Sequence, residues 1–275
     1  MRLRTILLAP AALVMGLLFG APLGIVLVYS FLSRGAYGGV LLPWTTGNYE
    51  RFLDPLYGSI LLRSFLLAGA ATGICLVLGF PLALFIARAS RWKSLYLYLV
   101  ILPFWTSFLV RTYAWMFLLR DTGLINTALI AAGVIREPLP LLYNHFAVVL
   151  GLVYGYLPFM VLPLYANLER LDRTLLEASA DLGARPVQTL LRVIVPLSKP
   201  GMLAGAVLVF IPCLGAYLTP DLLGGGKSIM IGNLLQNQFT TARDWPFGSA
   251  VSLALMAFVM LLLMVMARRR GGEFP

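Results

Sequence analysis

The sequence predicts an all-α, polytopic membrane protein with six transmembrane helices, and three observations carry that prediction. Of 275 residues, 60% are hydrophobic and 12% charged, against about 25% charged in a typical soluble domain. The apolar residues lie in long runs, several of them matching the roughly 20 residues that a helix needs to cross a bilayer, and a globule of this size cannot bury so many continuous apolar stretches. The net charge of +10 is concentrated in alternate connections between those runs, as the positive-inside rule requires.

The first span is expected over residues 5–33, which hold no charge. Met1-Arg2-Leu3-Arg4 resembles the basic start of a signal peptide, but the apolar run that follows is too long for one and is read as an uncleaved helix. Arg34 to Arg63 carries turn chemistry (Gly38-Gly39, Pro43, Gly47-Asn48) and, at Tyr49-Glu50-Arg51-Phe52, a short surface helix. The second span, 64–87, contains Pro81, where a kink is expected. A basic connection, Arg88 to Lys93, leads to the third span, 94–119, with Pro103 in its first half and Arg111 inside it. A loop with a small amphipathic piece, Gly123 to Gly133, precedes the fourth span, 140–167, which carries Pro158 and Pro163. The fifth span is 201–219, with Pro212 at its middle, and the sixth is 245–267, followed by Arg268-Arg269-Arg270.

Six spans place both termini on one side. With the N-terminus inside, the cytoplasmic segments hold 13 of the 21 basic residues, and the outer acids nearly offset the other eight. The basic excess is therefore topology and not a nucleic-acid surface.

Between the fourth and fifth spans lies a charged island, residues 169–200, on the cytoplasmic side of this topology. Leu171, Leu175, Ala178 and Leu182 fall at i, i+4, i+7 and i+11, one apolar stripe along a helix. Asp172 suits the N-cap, Leu171 and Leu176 the hydrophobic staple, Gly183 the left-handed C′ position and Pro186 the first residue of a second helix. Two short helices with a sharp turn at Gly183 are expected.

The island also resembles the EAA loop of the membrane subunits of ABC importers. That pattern runs Glu-Ala-Ala, three residues, Gly, nine residues, Ile-x-Leu-Pro; here it reads Glu177-Ala178-Ser179, Gly183 and Val193-Ile194-Val195-Pro196. Ser179, Val193 and Val195 depart from it by small steps. The resemblance extends over nearly the whole chain and implies the type I importer (MetI-like) permease fold: a peripheral first helix, five core helices, and a coupling helix in the loop. The segment from Asp221 through Ile231-Gly232-Asn233 to Arg243-Asp244-Trp245-Pro246-Phe247-Gly248 is most similar to the spermidine/putrescine permease subfamily. The resemblance implies ATPase coupling through Leu171, Leu175, Glu177, Ala178, Ser179, Leu182, Gly183 and Pro196. It further implies a cytoplasmic ATPase dimer that carries ATP and Mg, a second permease subunit of paralogous sequence, a periplasmic or extracellular solute-binding protein, and a bacterial inner-membrane location. The chain itself is expected to bind no cofactor and no metal and to be no enzyme.

Other candidates stay open between two readings each. Arg111 lies deep enough to be costly in lipid; it lines the path, pairs with Asp121 or snorkels outward. Asp221, at the outer end of the fifth span, meets a cationic solute or caps the loop. Trp105, Tyr154, Tyr156 and Tyr217 form a cation–π surface for an amine or fill space between helices. His145, the only histidine, is a proton relay or an interfacial hydrogen-bonding residue. Gly224-Gly225-Gly226-Lys227-Ser228 ends like a P-loop, but the glycine required five residues before Gly226 is Asp221, so nucleotide binding there is rejected. Cys75 and Cys213 are expected to be packing residues. A secondary transporter would need acids in the spans, which are almost absent; a sensor or assembly protein using the same loop is the remaining alternative. The solute is not fixed: an amine, an opine or amino-acid-like compound, an anion or a metal are alternatives to a polyamine.

Overall fold

The computed structural model describes residues 2–89 and 91–269; Ser90 in the basic connection and Arg270 in the C-terminal basic cluster lie outside them. In chain order the elements begin with α1 (Arg2–Ser30), β1 (Leu32–Arg34), β2 (Val40–Trp44), α2 (Gly47–Phe52), α3 (Pro55–Arg88), α4 (Lys93–Ile101), α5 (Phe108–Leu119) and α6 (Leu124–Ala131). They continue with α7 (His145–Glu169), α8 (Arg173–Asp181), α9 (Pro186–Thr189), α10 (Val195–Leu197), α11 (Lys199–Gly215), α12 (Leu218–Gly224), α13 (Ile231–Phe239) and α14 (Trp245–Arg269). Among the described residues four helices are long and apolar enough to cross a membrane, or up to six if each of two bent pairs is one span.

The helices do not follow the expected limits everywhere. The second begins at Pro55, nine residues before the expected Ser64, and runs through Pro81 without a break. In place of one helix over 94–119, α4 and a tight turn (Leu102–Trp105) meet the α5–α6 segment at 88°. Pro103 has no N–H to give to the helix, and Thr106 and Ser107 are extended, so the helical ladder stops there. The freed geometry is partly repaired by Thr106 Oγ1, which donates to the Pro103 carbonyl at 2.7 Å. The fifth helix ends at Gly215, and the residues expected to complete that span pass into α12.

The chain forms two compact units, Met1–Ile60 with Leu234–Pro275 and Leu61–Asn233. In the first, α1 packs along α14, with the rings of Tyr29 and Trp245 6.3 Å apart. The loop after α1 is a two-stranded antiparallel hairpin. It turns at Gly38 and Gly39, both at positive φ, and a Cβ on Gly38 would lie 2.8 Å from Arg243 Cβ. Asn48 ties α2 to the end of α1 and the start of β1 by donating to the carbonyls of Ser30 and Leu32, each at 2.9 Å.

In the second unit α7 and α11 form the centre. Met160, Val161 and Leu164 of α7 are fully buried. Along α3 the residues Ala68, Ala71, Cys75, Ala83 and Ile86 make one buried face, and the small size of the three alanines lets helices approach closely. Both cysteines are free and buried, as expected. Gly201 and Gly205 do the same for α11: a Cβ on Gly201 would lie 2.7 Å from Asn167 Cβ, and one on Gly205 2.7 Å from Met160 Sδ and 3.1 Å from the Met160 carbonyl. Overpacking such a contact costs about 1–3 kcal/mol. Gly205→Val is therefore expected to lower the thermal midpoint of the purified protein in detergent, while Gly16→Val, which meets nothing within 4 Å, leaves it unchanged.

Candidate functional site

The charged island folds as the two-helix hairpin that its capping residues predict. Asp172 Oδ1 accepts from the Thr174 N–H at 3.0 Å. That bond holds the Asp172 carboxyl below its ordinary pKa, so the cap is intact at neutral pH and is lost only as pH falls through the lowered value. At the other end Gly183 sits at φ +79. Its N–H donates to Ala180 O at 2.8 Å and the Ala184 N–H to Ser179 O at 3.1 Å, the Schellman pair that closes a helix on a left-handed residue. Pro186 opens α9, and Gln188 Oε1 accepts from the Arg185 N–H at 2.8 Å. A hydroxyl contact between Ser179 and Thr189, 2.9 Å long, fastens α9 back onto α8. The Glu-Ala-Ser variant of the motif thus has a local use for its serine: an alanine there would remove this link.

The apolar residues of the hairpin divide between two faces. Leu171 and Leu176 turn inward and line a cavity of about 370 Å³ with Leu84, Leu168 and Ile194; Glu177 and Arg88 also reach it. Leu175 and Leu182 face out, 46% and 89% exposed. The expected single stripe is therefore split: Leu171 lies before the first residue of α8 and turns with Leu176 to the body. Val187 and Leu191, 64% and 61% exposed, join Leu175 and Leu182 as outward apolar side chains of the hairpin; they were missed because α9 and the π-helical turn after it are too short for a periodicity to register. Ala178 is exposed, and Pro196 is exposed within α10. An ion pair of 2.8 Å between Lys93 and Glu169 joins the start of α4 to the end of α7, beside the hairpin.

The path candidates do not converge on one site. Trp105 is 85% exposed at the elbow between α4 and α5. Arg111 forms no pair with Asp121. Its guanidinium instead lies over the rings of Phe104 at 4.7 Å and Phe108 at 5.7 Å, and its Nε and one Nη are buried with no hydrogen-bond partner. Phe104 in turn meets Phe159 of α7 edge-on at 5.3 Å. The arginine thus fastens the elbow through cation–π contacts. Tyr154 packs edge-on against Trp115 at 5.4 Å, and Tyr156 lies 6.1 Å from Phe159. Tyr217 is exposed at the N-cap position of α12 and makes no side-chain cap bond; Asp221 is exposed in the first turn of that helix, with no side-chain hydrogen bond, so the capping role left open for it is not formed. His145 is exposed at the start of α7, whose cap is Asn144. The glycine run at 224–226 is a tight turn against α7: a Cβ on Gly224 would lie 2.7 Å from Val148 Cγ2, and a helix, not a strand, precedes it. No cluster of histidine, cysteine or acidic side chains suited to a metal occurs among the described residues.

A second cluster escaped the sequence reading. Arg51 Nη1 pairs with Asp244 Oδ2 at 2.8 Å, and its guanidinium stacks 4.1 Å over the ring of Phe247. Asp244 also accepts from the Phe247 N–H at 3.2 Å through Oδ1, which caps α14. Asp followed by Trp-Pro is a readable helix start; the arginine, 193 residues away, is not readable from spacing.

Comparison with known proteins bears on the whole chain. The spermidine/putrescine transport system permease protein PotB of Escherichia coli K12 is 46% identical over 237 residues, 86% of each chain. The protein of the same description from Haemophilus influenzae is 43% identical over 89% of this chain and 86% of its own. The inner membrane ABC transporter permease protein YdcU of Escherichia coli K12 is 35% identical over 82% of this chain and 75% of its own. A crystal structure of a bacterial ABC transporter involved in the import of the acidic polysaccharide alginate superposes with a TM-score of 0.70 over 97% of this chain and 96% of that one, at 16% identity, a likeness of fold. Residues 39–269 match the family described as binding-protein-dependent transport system inner membrane component, and the chain belongs to that family.

Proposed function

We propose that the chain is the membrane-spanning permease subunit of an ABC importer whose solute is a polyamine, spermidine or putrescine, or a closely related cationic compound. The observation that carries this reading is the 46% identity to spermidine/putrescine permeases across 86% of the chain. The chain contributes helices and a docking hairpin; ATP and its Mg are bound and hydrolysed by a separate ATPase dimer. A paralogous permease completes the path, and a periplasmic binding protein delivers the solute. Both termini lie in the cytoplasm.

The coupling role is assigned to the hairpin. Leu175 and Leu182, with Val187 and Leu191, offer apolar side chains to a groove on the ATPase, and Glu177 pairs with a basic residue there. Gly183 and the Ser179–Thr189 link keep the two short helices at a fixed angle, so a push on α8 is passed to α11 through α9 and α10. The exposed aromatics Trp105 and Tyr217 and the acid Asp221 are assigned to the solute path, where π faces and a carboxylate attract amines.

Reconstitution tests the reading. The chain, a paralogous permease, the ATPase and a polyamine-loaded binding protein are placed in proteoliposomes. ATP-dependent uptake of labelled spermidine, competed by putrescine and absent without ATP, is expected; uptake that ignores ATP, or that amino acids compete and putrescine does not, would refute it.

A further inference from the structure

A cavity of about 750 Å³ opens at the end of the second unit where α7 begins, the end of that helix opposite to the coupling hairpin. Arg120, Asp121, Thr122, Tyr143 and Asn144 are among its lining residues, and the volume lies in the range of small-ligand sites. The hydrogen bonds sort these groups. Asn144 is engaged at both ends: its Oδ1 accepts from the Ala147 N–H and its Nδ2 donates to the Pro140 carbonyl. Arg120 is turned onto the ring of Phe117, 4.4 Å away, and its carbonyl accepts from Gly123 and Asn126. The side chains of Asp121, Thr122 and Tyr143 make no hydrogen bond or ion pair among the described residues. The lining side chains without a hydrogen bond are therefore a carboxylate, two hydroxyls with an aromatic face, and the Arg120 guanidinium, which is drawn aside onto Phe117.

Tyr143 is held there at a cost. Its φ is +60, a region that bulky side chains rarely adopt. Its N–H donates to the Leu223 carbonyl at 2.9 Å, and its ring lies against Gly225, where a Cβ would come within 3.1 Å of Tyr143 Cδ1. Gly225 is itself at positive φ, so α12 and the loop before α7 together impose the tyrosine's position. Strain of this kind persists only where the surroundings over-determine it.

We propose that this cavity is an entry subsite for a primary ammonium group, in which Asp121 supplies the charge, Tyr143 the π face and Thr122 a hydroxyl acceptor. The proposal rests on the polyamine reading above: the solute's amine is taken here as it leaves the binding protein.

The test uses the assembled transporter in proteoliposomes, with saturating spermidine-loaded binding protein. An exposed ion pair of this kind changes an equilibrium by about two- to five-fold. Asp121→Asn is therefore expected to lower spermidine turnover about two- to five-fold, Asp121→Glu to restore most of it, and Glu137→Gln, an acid of the same α5–α7 connection but outside the cavity, to leave it unchanged. Docking of solute-free binding protein to the Asp121→Asn transporter is measured alongside and is expected to match the parent. An unchanged turnover in Asp121→Asn would overturn the proposal while leaving the polyamine reading standing. An equal loss in Glu137→Gln would assign the effect to the field of the loop, and weakened docking would assign Asp121 to a protein contact; either overturns it. Absence of spermidine uptake by the parent transporter would sink both readings together.

Discussion

Replacing Glu177 by lysine is expected to abolish most ATP-driven uptake while leaving the protein in the membrane. Glu177 is exposed on α8 and forms no ion pair among the described residues, so its loss removes little from the fold of this chain. Reversing its charge against a basic ATPase residue costs a docked interface 2 kcal/mol or more where the pair is desolvated, about 30-fold in occupancy or beyond. Gly183→Pro should act by a different route to the same end. Proline cannot adopt φ +79, and it removes the N–H that Gly183 gives to Ala180, so the angle between α8 and α9 is lost. For both variants the prediction is at least ten-fold lower uptake at normal membrane abundance, read by proteoliposome transport beside quantitative immunoblotting. Glu177→Lys should also lower the amount of ATPase that co-purifies. Normal uptake by both variants would remove the hairpin from the coupling role.

The hairpin was legible because its signals are local. Asp172, Gly183 and Pro186 each act on backbone groups within a few residues, and each does in the structure what its chemistry requires. The helices were legible in class and order for a related reason, since a bilayer-length apolar run must satisfy its own backbone. Three features were not. Pro103 points to a bend within residues 94–119, but not to an 88° elbow, because composition reports how apolar a segment is and not in which direction it continues. Arg111 was read through its charge, whereas its position is decided by Phe104, Phe108 and, at one remove, Phe159. Such contacts depend on which helices become neighbours, and neighbours are set by packing. The hairpin after α1 was hidden too: Gly38-Gly39 announced a turn, but its strands are three and five residues long, too short for alternation to register.

Replacing Asp244 by alanine is expected to be the most damaging single polar substitution in the first unit. The side chain is 2% exposed and serves two partners at once, Arg51 and the Phe247 N–H. Losing a helix cap costs about 0.5–2 kcal/mol, and losing a hydrogen bond to a charged group about 1.5–3. Arg51 keeps 47% of its side-chain exposure, so its stranded charge is partly hydrated and the combined loss should be near 2–4 kcal/mol, the lower part of what the two terms allow. Asp244→Asn separates the terms, because asparagine caps as well as aspartate but carries no charge; it should fall between parent and alanine. Arg51→Met tests the other side: it leaves Asp244 with its cap alone, and adding Asp244→Asn to it should cost less than Asp244→Asn does in the parent. Thermal midpoints of the four variants in one detergent give this cycle directly. If the two single changes proved additive, the pair would not be what joins α2 to the start of α14, and the stacking of Arg51 on Phe247 would have to hold that contact instead.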